Sequence, residues 1–307
     1  MSGYLFVSTA VTDLITLPDG YTHPPLLGGA GLYALVGAKV WADDVTIITG
    51  IGNDFLPEHG AWFRVNALPT DGLRVVCAHS PRNAISYFAD GEREERPVFG
   101  AQHYRRVVPT AGDVAPHCRD ARGVYVFRDL ERGFWGQMSQ LRAQHAFRLM
   151  WEISAEVAVP EQLDVVKEIL RDVDFFSLNR VEALRLFATD SIEETVAELQ
   201  ALNLPLVYLR LGARGAYMIE GDRVRHIAAI ANGPVVDPTG AGNSSSGAVL
   251  VGLCEGKDAL TAGVMGAISA SYVIAQYGPP PALDSSLRRE AIGRLNRELL
   301  SRPELAQ

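Results

Sequence analysis

The chain has 307 residues, 48% of them hydrophobic and 21% charged, with a formal net charge of -8. That acidity leaves no basic stripe to release counterions from a polyanion, which argues against a general nucleic-acid binder but not against a small anionic ligand held by a local positive site. Cys77, Cys118 and Cys254 form no C-x-x-C pair, which argues against a disulfide framework or a zinc site; no apolar run approaches the ~20 residues of a membrane span and no secretory signal is evident, so a cytoplasmic protein is the simplest reading.

Residues 4–9 read as a first buried strand with Asp13 just beyond it. Leu27-Gly28-Gly29-Ala30-Gly31 is a Gly-rich turn opening a helical run to Ala38, and 45–50 is a strand leading into the turn Gly50-Ile51-Gly52-Asn53-Asp54. This βαβ rhythm favours a parallel sheet covered by helices. Residues 71–110 break it. Short strands at 73–78 and 84–89, a hairpin turn at Asp90-Gly91 and the charged run 92–96, expected to be a solvated edge, suggest a small β lid or a plain surface hairpin.

The rhythm returns with strands at 123–127, 147–152 and 173–178, and helices at 135–144 and 160–171. Ser191 and Glu194 are spaced as a capping box opening a helix to about residue 202. Residues 206–211 and 216–219 read as strands, and helices are expected at 246–254, 258–276 and 284–301. No repeat or linker interrupts the chain. We expect a single α/β domain over 1–307, with a lid formed by about 10–25 and 71–110.

The stretch 235–248 stands out. Val235-Val236 reads as a strand end, Gly240-Ala241-Gly242 as a tight turn, and the apolar run after Gly247 as a helix. Such a turn aims N–H groups at one spot and suits a phosphate, although a plain strand–helix turn also needs small residues. Asn243 stands beside it, where phosphoryl transfer would want a carboxylate. Asn179 and Glu182 lie one helical turn apart, which suits either a shared site or a helix cap. His23, His59, His103 and His226 show no metal-ligand spacing.

Taken in order, Gly28-Gly29, Gly50 to Asp54, Asn179-x-x-Glu182, Leu211-Gly212-x-x-Gly215 and Asp237-x-Thr239-Gly240-Ala241-Gly242 resemble the PfkB family of carbohydrate kinases, over nearly the whole chain. Gly28 to Ala34, Trp151-Glu152 and Asn243 are similar to a branch of fungal PfkB-like proteins with Asn in place of the usual Asp. The resemblance implies a ribokinase-like three-layer fold and an ATP-dependent phosphotransferase acting on an alcohol of a sugar or nucleoside-like molecule.

It further implies that Gly240, Ala241 and Gly242 hold the transferring phosphoryl group and that Asn243 occupies the place of the base. Asn179, Glu182, Arg210, Gly212, Gly215, Asp237 and Thr239 would lie on the nucleotide side, with an adenine pocket among 225–235 and 260–277. Glu182 would serve Mg²⁺ through water, and Arg210, where the family has Thr or Ser, would pair with a phosphate or with an acid. Asp13, Gly28, Gly29 and Tyr33 would face the acceptor, Tyr33 replacing an Asn common in sugar kinases, with Arg82 and Asn83 covering it from the lid or lying on the lid surface. A homodimer through the lid is a further implication.

An amide cannot take a proton at neutral pH, and losing a general base costs ~10²–10⁴ in rate. The chain could therefore be a kinase with slow chemistry or another base, a non-catalytic binding protein, or an enzyme of phosphate-ester or glycosidic-bond chemistry on the same scaffold.

Overall fold

The computed structural model describes residues 3–89 and 92–301. In chain order the elements are β1 (Tyr4–Val7), β2 (Val11–Thr16), β3 (Leu26–Gly28), α1 (Ala30–Lys39), β4 (Val45–Gly52), α2 (Phe55–Val65), β5 (Leu73–Cys77), β6 (Arg82–Tyr87), β7 (Arg93–Pro97), α3 (Ala101–Val107) and α4 (Ala111–Val114). They continue as β8 (Gly123–Arg128), α5 (Arg132–His145), β9 (Arg148–Ile153), α6 (Leu163–Leu170), β10 (Phe175–Asn179), α7 (Arg180–Phe187), α8 (Ile192–Ala201), β11 (Leu206–Arg210), β12 (Ala216–Glu220), β13 (Arg223–Ile227), α9 (Ala241–Cys254), α10 (Ala259–Val273) and α11 (Ser285–Leu300).

Nine strands form one sheet in the order β13-β12-β11-β10-β9-β8-β1-β4-β5. Pairing is parallel from β11 to β5 and antiparallel at β12 and β13. Successive strand residues point to opposite faces. Phe6, Tyr125 and Met150 therefore join one core with α1, α9 and α10, whereas Leu5, Val126 and Trp151 join a second core with α5, α6 and α7. Three layers follow from strands that are apolar on both sides.

The same parity places a polar set. Glu152, Asn179 and Arg210 sit toward the C-terminal ends of β9 to β11, in phase with Tyr125 of β8 and Met150 of the first core, on the face that α9 covers. The C-terminal edge of a parallel sheet is where open α/β folds build their sites.

A second sheet, in the order β3-β2-β6-β7, makes the lid. Its outer strand β7 is exposed along its whole length, as the charged run 92–96 leads one to expect. The expected hairpin turn at Asp90-Gly91 lies outside the described residues.

Several expectations change. Residues 73–77 join the edge of the large sheet beside β4, not the lid, and β3 enters the lid from beyond residue 25. Val235 and Val236 are not a strand end but an exposed loop, tied back where the Val236 N–H donates to the Ile274 carbonyl at 2.8 Å. The helix after it begins at Ala241, five residues earlier than its apolar run suggests, and the hydroxyls of Ser244, Ser245 and Ser246 within it are satisfied by the helix carbonyls of Ala241 and Gly242. Strand β13 and helix α2 have no counterpart in the sequence reading.

Candidate active site

Gly240 starts α9 with φ of 78°, a left-handed conformation that disfavours a side chain. The Ala241 N–H donates to the Pro238 carbonyl at 3.3 Å and the Ser244 N–H to the Gly240 carbonyl at 2.9 Å. Among the described residues no side chain accepts from the Gly242 and Asn243 amides. Space also requires these glycines: a methyl group on Gly240 would overlap the Tyr33 ring, and one on Gly242 would overlap the Arg210 guanidinium. The turn is thus an open pair of N–H groups with an aromatic ring on one side and a cation on the other.

Asn243 is part of a buried network. Its Nδ2 donates to Glu152 Oε1 at 2.8 Å and to the Tyr125 hydroxyl at 3.2 Å, and that hydroxyl donates to Glu152 Oε2 at 3.0 Å. Arg210 Nη2 stands 3.0 Å from Glu152 Oε1 and 3.7 Å from Glu182 Oε2. Glu152 is 1% exposed, so its charge is held by Arg210 and by these two donors instead of by water. With both Nδ2 hydrogens committed to Glu152 and Tyr125, Asn243 keeps Oδ1 as a free acceptor.

Asn179 caps α7. Its side chain accepts the Glu182 N–H at 2.9 Å, and Glu182 Oε2 accepts the Asn179 N–H at 2.7 Å, a reciprocal capping box. Burial pushes the Glu182 carboxyl above its ordinary range, against the lowering effect of Arg210. The cap and the site are therefore the same residues. A metal bound directly at Glu182 Oε2 would compete with the cap and with the Arg210 guanidinium 3.7 Å away, which leaves Oε1 as the oxygen that could serve one through water. Among the described residues no group of three His, Cys, Asp or Glu could hold a metal ion.

A cavity of about 380 Å³ runs from this cluster. Asn179, Arg210, Gly212, Gly215, Ala241 and Gly242 line it together with the apolar Ile227, Ile230, Ala267 and Ile274. Of the positions expected on the nucleotide side, Asn179, Arg210, Gly212 and Gly215 line this cavity together with residues of the stretches expected for a base, whereas Glu182, Asp237 and Thr239 do not.

Across the turn lies a second polar group. Asp13, 4% exposed, accepts from Asn83 Nδ2 at 3.2 Å, and Tyr104 donates its hydroxyl to the Asn83 oxygen. A methyl group on Gly28 would overlap the Asp13 carboxylate, so Gly28 leaves room for it, while Gly29 caps α1. Burial pushes the Asp13 carboxyl up to about 7, with Asn83 acting in the opposite sense. Tyr33, whose ring lies against Gly240, is close enough to feel the charges of Asp13 and Asp237. It joins the two halves of the cleft.

The lid is fastened onto the turn. Tyr87 donates its hydroxyl to Asp237 Oδ1 at 2.8 Å, and Arg93 bonds the Thr239 hydroxyl. Asp237 Oδ1 also accepts the Thr239 N–H at 2.8 Å, so Asp237 and Thr239 shape and latch the loop. Arg82 turns to Asp54 and Glu58, holding the base of the lid against α2, and is not gathered with Asn83 around Asp13. Asp54 Oδ1 accepts the Ser80 N–H at 2.7 Å, which gives the Asn53-Asp54 turn its part in the hinge.

The parts played by Tyr125, Tyr87 and Tyr104 carry no signal in the sequence, Arg93 of the charged run expected to be a solvated edge instead reaches Thr239, and Glu152 enters the sequence only through the resemblance. Strand parity could have aligned Glu152 with Arg210. Nothing local in the sequence reveals the lid contacts.

A model of the pfkB family carbohydrate kinases matches residues 26–285. An uncharacterised protein of Schizosaccharomyces pombe is 24% identical, the match covering 90% of this chain and 85% of that one. A cytidine kinase of Thermococcus kodakarensis is 21% identical over 87% of this chain and 94% of its own. Among solved structures, a putative ribokinase II from E. coli in complex with ATP and Mg²⁺ superposes with a TM-score of 0.78 at 18% identity, over 96% of this chain and 100% of that one. The architecture is the ribokinase-like α/β fold with its smaller lid sheet.

Proposed function

The chain belongs to the pfkB family of carbohydrate kinases, and on that premise we propose that it is an ATP-dependent phosphotransferase acting slowly on an alcohol of a nucleoside-like or sugar molecule. The observation that carries the reading is the pairing in one cleft of a glycine turn bounded by the Tyr33 ring with the buried, hydrogen-bonded Asp13 carboxylate. An anion and a polyol would meet there.

Each residue then has work it can do. Asp13 accepts from acceptor hydroxyls, as a carboxylate does well. The Gly242 and Asn243 amides hold the transferring phosphoryl group. Asn243 Oδ1 accepts from the attacking hydroxyl and aims it; as the O–P bond forms and ADP leaves, the proton passes to a phosphoryl oxygen or to water instead of to a side-chain base. A loose, metaphosphate-like transition state asks more of positioning and charge stabilisation than of a base, so slow transfer without a carboxylate at 243 is chemically reasonable. The adenine would pack on the apolar lining residues of the cavity, whose size lies within the usual range for small ligands. The tyrosines near Asp13, namely Tyr33 and Tyr104, favour an acceptor with an aromatic face, and the cytidine kinase relative supports a nucleoside.

A second reading rests on the Asn243 amide itself: a protein that binds the same ligands without turnover. Acceptor-dependent ADP release, measured against a panel of nucleosides and sugars, supports the first reading. Ligand-induced rises in melting temperature without ADP release support the second. No response to any nucleotide overturns both.

A further inference from the structure

Resting on the reading of this cleft as a nucleotide site, we infer that Arg210 is the cation that holds the nucleotide's phosphates, and that they bind here without a divalent metal. Arg210 ends β11, in register with Asn179 on β10. Its guanidinium lies against Gly242, beside the two uncapped amides of α9, and lines the cavity with Asn179 and Gly242. The side chain is only 12% exposed, so its charge is felt in a setting of low polarity, where an anion gains most from it.

Of the acids that could order a metal's water shell, Glu152 is engaged at both oxygens, and Glu182 is engaged at Oε2 by the cap and faces the same guanidinium. Glu152 and Glu182 stand 3.0 and 3.7 Å from Arg210 Nη2, and Glu182 Oε2 also takes the Asn179 N–H at 2.7 Å. A metal placed between these carboxylates would share their neighbourhood with a guanidinium, two cations competing for the same ligands. Glu152 in turn receives the Asn243 amide at 2.8 Å. The cluster is built around one cation, and that cation is Arg210.

The guanidinium is also incompletely partnered. Its nearest carboxylate contacts fall on Nη2, and Nε is buried with no hydrogen-bond partner among the described residues. A buried charged donor without a partner is costly, and the planar fork of arginine matches phosphate oxygens in pairs. The Gly242 and Asn243 amides complete a cradle in which backbone donors and a fixed side-chain charge replace the role of a bound ion.

Calorimetric titration with ATP in EDTA and in excess Mg²⁺ tests this. Wild type is expected to bind with dissociation constants that agree within about threefold in the two buffers, a difference below 1 kcal/mol. Arg210→Gln paired with Glu152→Gln removes the fork while keeping the formal charge of the cluster, and should weaken binding in EDTA by about tenfold or more, the loss of a charge-assisted contact. Arg210→Lys, which keeps the charge but not the fork, gives an intermediate value and serves where the double variant fails to fold. ATP binding by wild type only with Mg²⁺ overturns the inference and leaves the phosphotransferase reading standing. Either variant binding metal-free ATP like wild type overturns the assignment to Arg210. Absence of ATP binding in both buffers overturns the inference and the nucleotide reading together.

Discussion

The Nδ2 of Asn243 lies 2.8 Å from Oε1 of Glu152 and donates to it. An acidic oxygen at that place on Glu152 fixes which end of the amide faces it, so the amide is the complement of a buried carboxylate and not a damaged base. Replacing it with a second carboxylate would set two acids against each other. Asn243→Asp should therefore lower stability by about 1–3 kcal/mol, the usual cost of losing a hydrogen bond to a charged group in a buried setting, and should not raise the phosphotransfer rate. Asn243→Asp with Glu152→Gln removes the conflict and should recover most of the stability. Denaturant unfolding of the three proteins decides it; a stable, faster single Asp variant would contradict this account.

The Asp13 carboxyl gives a pH signature. Burial raises its folded-state value from 3.8 to about 7. A carboxyl raised on folding binds a proton more tightly in the native state. The stability it contributes is complete below 3.8 and is lost as pH rises through about 7. Asp13→Asn should flatten that decline when melting temperature is measured from pH 4 to pH 8. Acceptor hydroxyls donate to the ionised form, so acceptor binding should tighten as pH rises through about 7, with proton uptake by buffer visible in calorimetry. An acceptor affinity independent of pH across this window would remove Asp13 from the site.

Gly242→Ala places a methyl group on the Arg210 guanidinium. Either the arginine or the turn must move, and both hold the phosphate in this account. Nucleotide affinity should fall by about tenfold or more, while the melting temperature without ligand changes far less than it would for a core substitution. Gly221, in the β12–β13 turn with open space where a Cβ would stand, supplies the control: Gly221→Ala carries only the strain of its φ of 55° and should leave affinity near wild type.

Lid closure rests partly on Tyr87 and Asp237, joined at 2.8 Å. Tyr87→Phe removes one partner of a buried carboxylate. It should cost about 1 kcal/mol and increase hydrogen exchange in β6 and β7 ahead of the large sheet. Uniform exchange across both sheets would show that the latch does not govern the lid.

Much of the fold is legible because strand and helix periodicities are plain: the apolar runs that become β1, β4, β8 and β9 are flanked by turn residues and covered on both faces. The Gly240–Gly242 turn is legible for the same reason, since few other arrangements need two glycines there. The network beneath Asn243 is not, because Tyr125, Glu152 and Arg210 come from three strands and meet only through register. Residues 73–77 mislead because a short β-branched strand does not say which sheet edge it will join. Val235 and Val236 mislead because β-branched residues also occupy exposed loops; here they are 62% and 39% exposed. Arg82 looks like a ligand residue from its place in the lid, and its real partners, Asp54 and Glu58, arrive from the helix side.

The central claim is that this cleft transfers phosphate from ATP to an alcohol, with Asn243 orienting and Asp13 holding the acceptor. Phosphorus NMR of the protein incubated with ATP and a nucleoside and sugar panel tests it most directly. The account predicts a slowly growing phosphomonoester signal that appears only with a particular acceptor and falls at least about a hundredfold in rate with Asp13→Ala, the scale of losing a positioning contact. ATP and acceptor bound together, with no phosphomonoester formed over many hours, would contradict it.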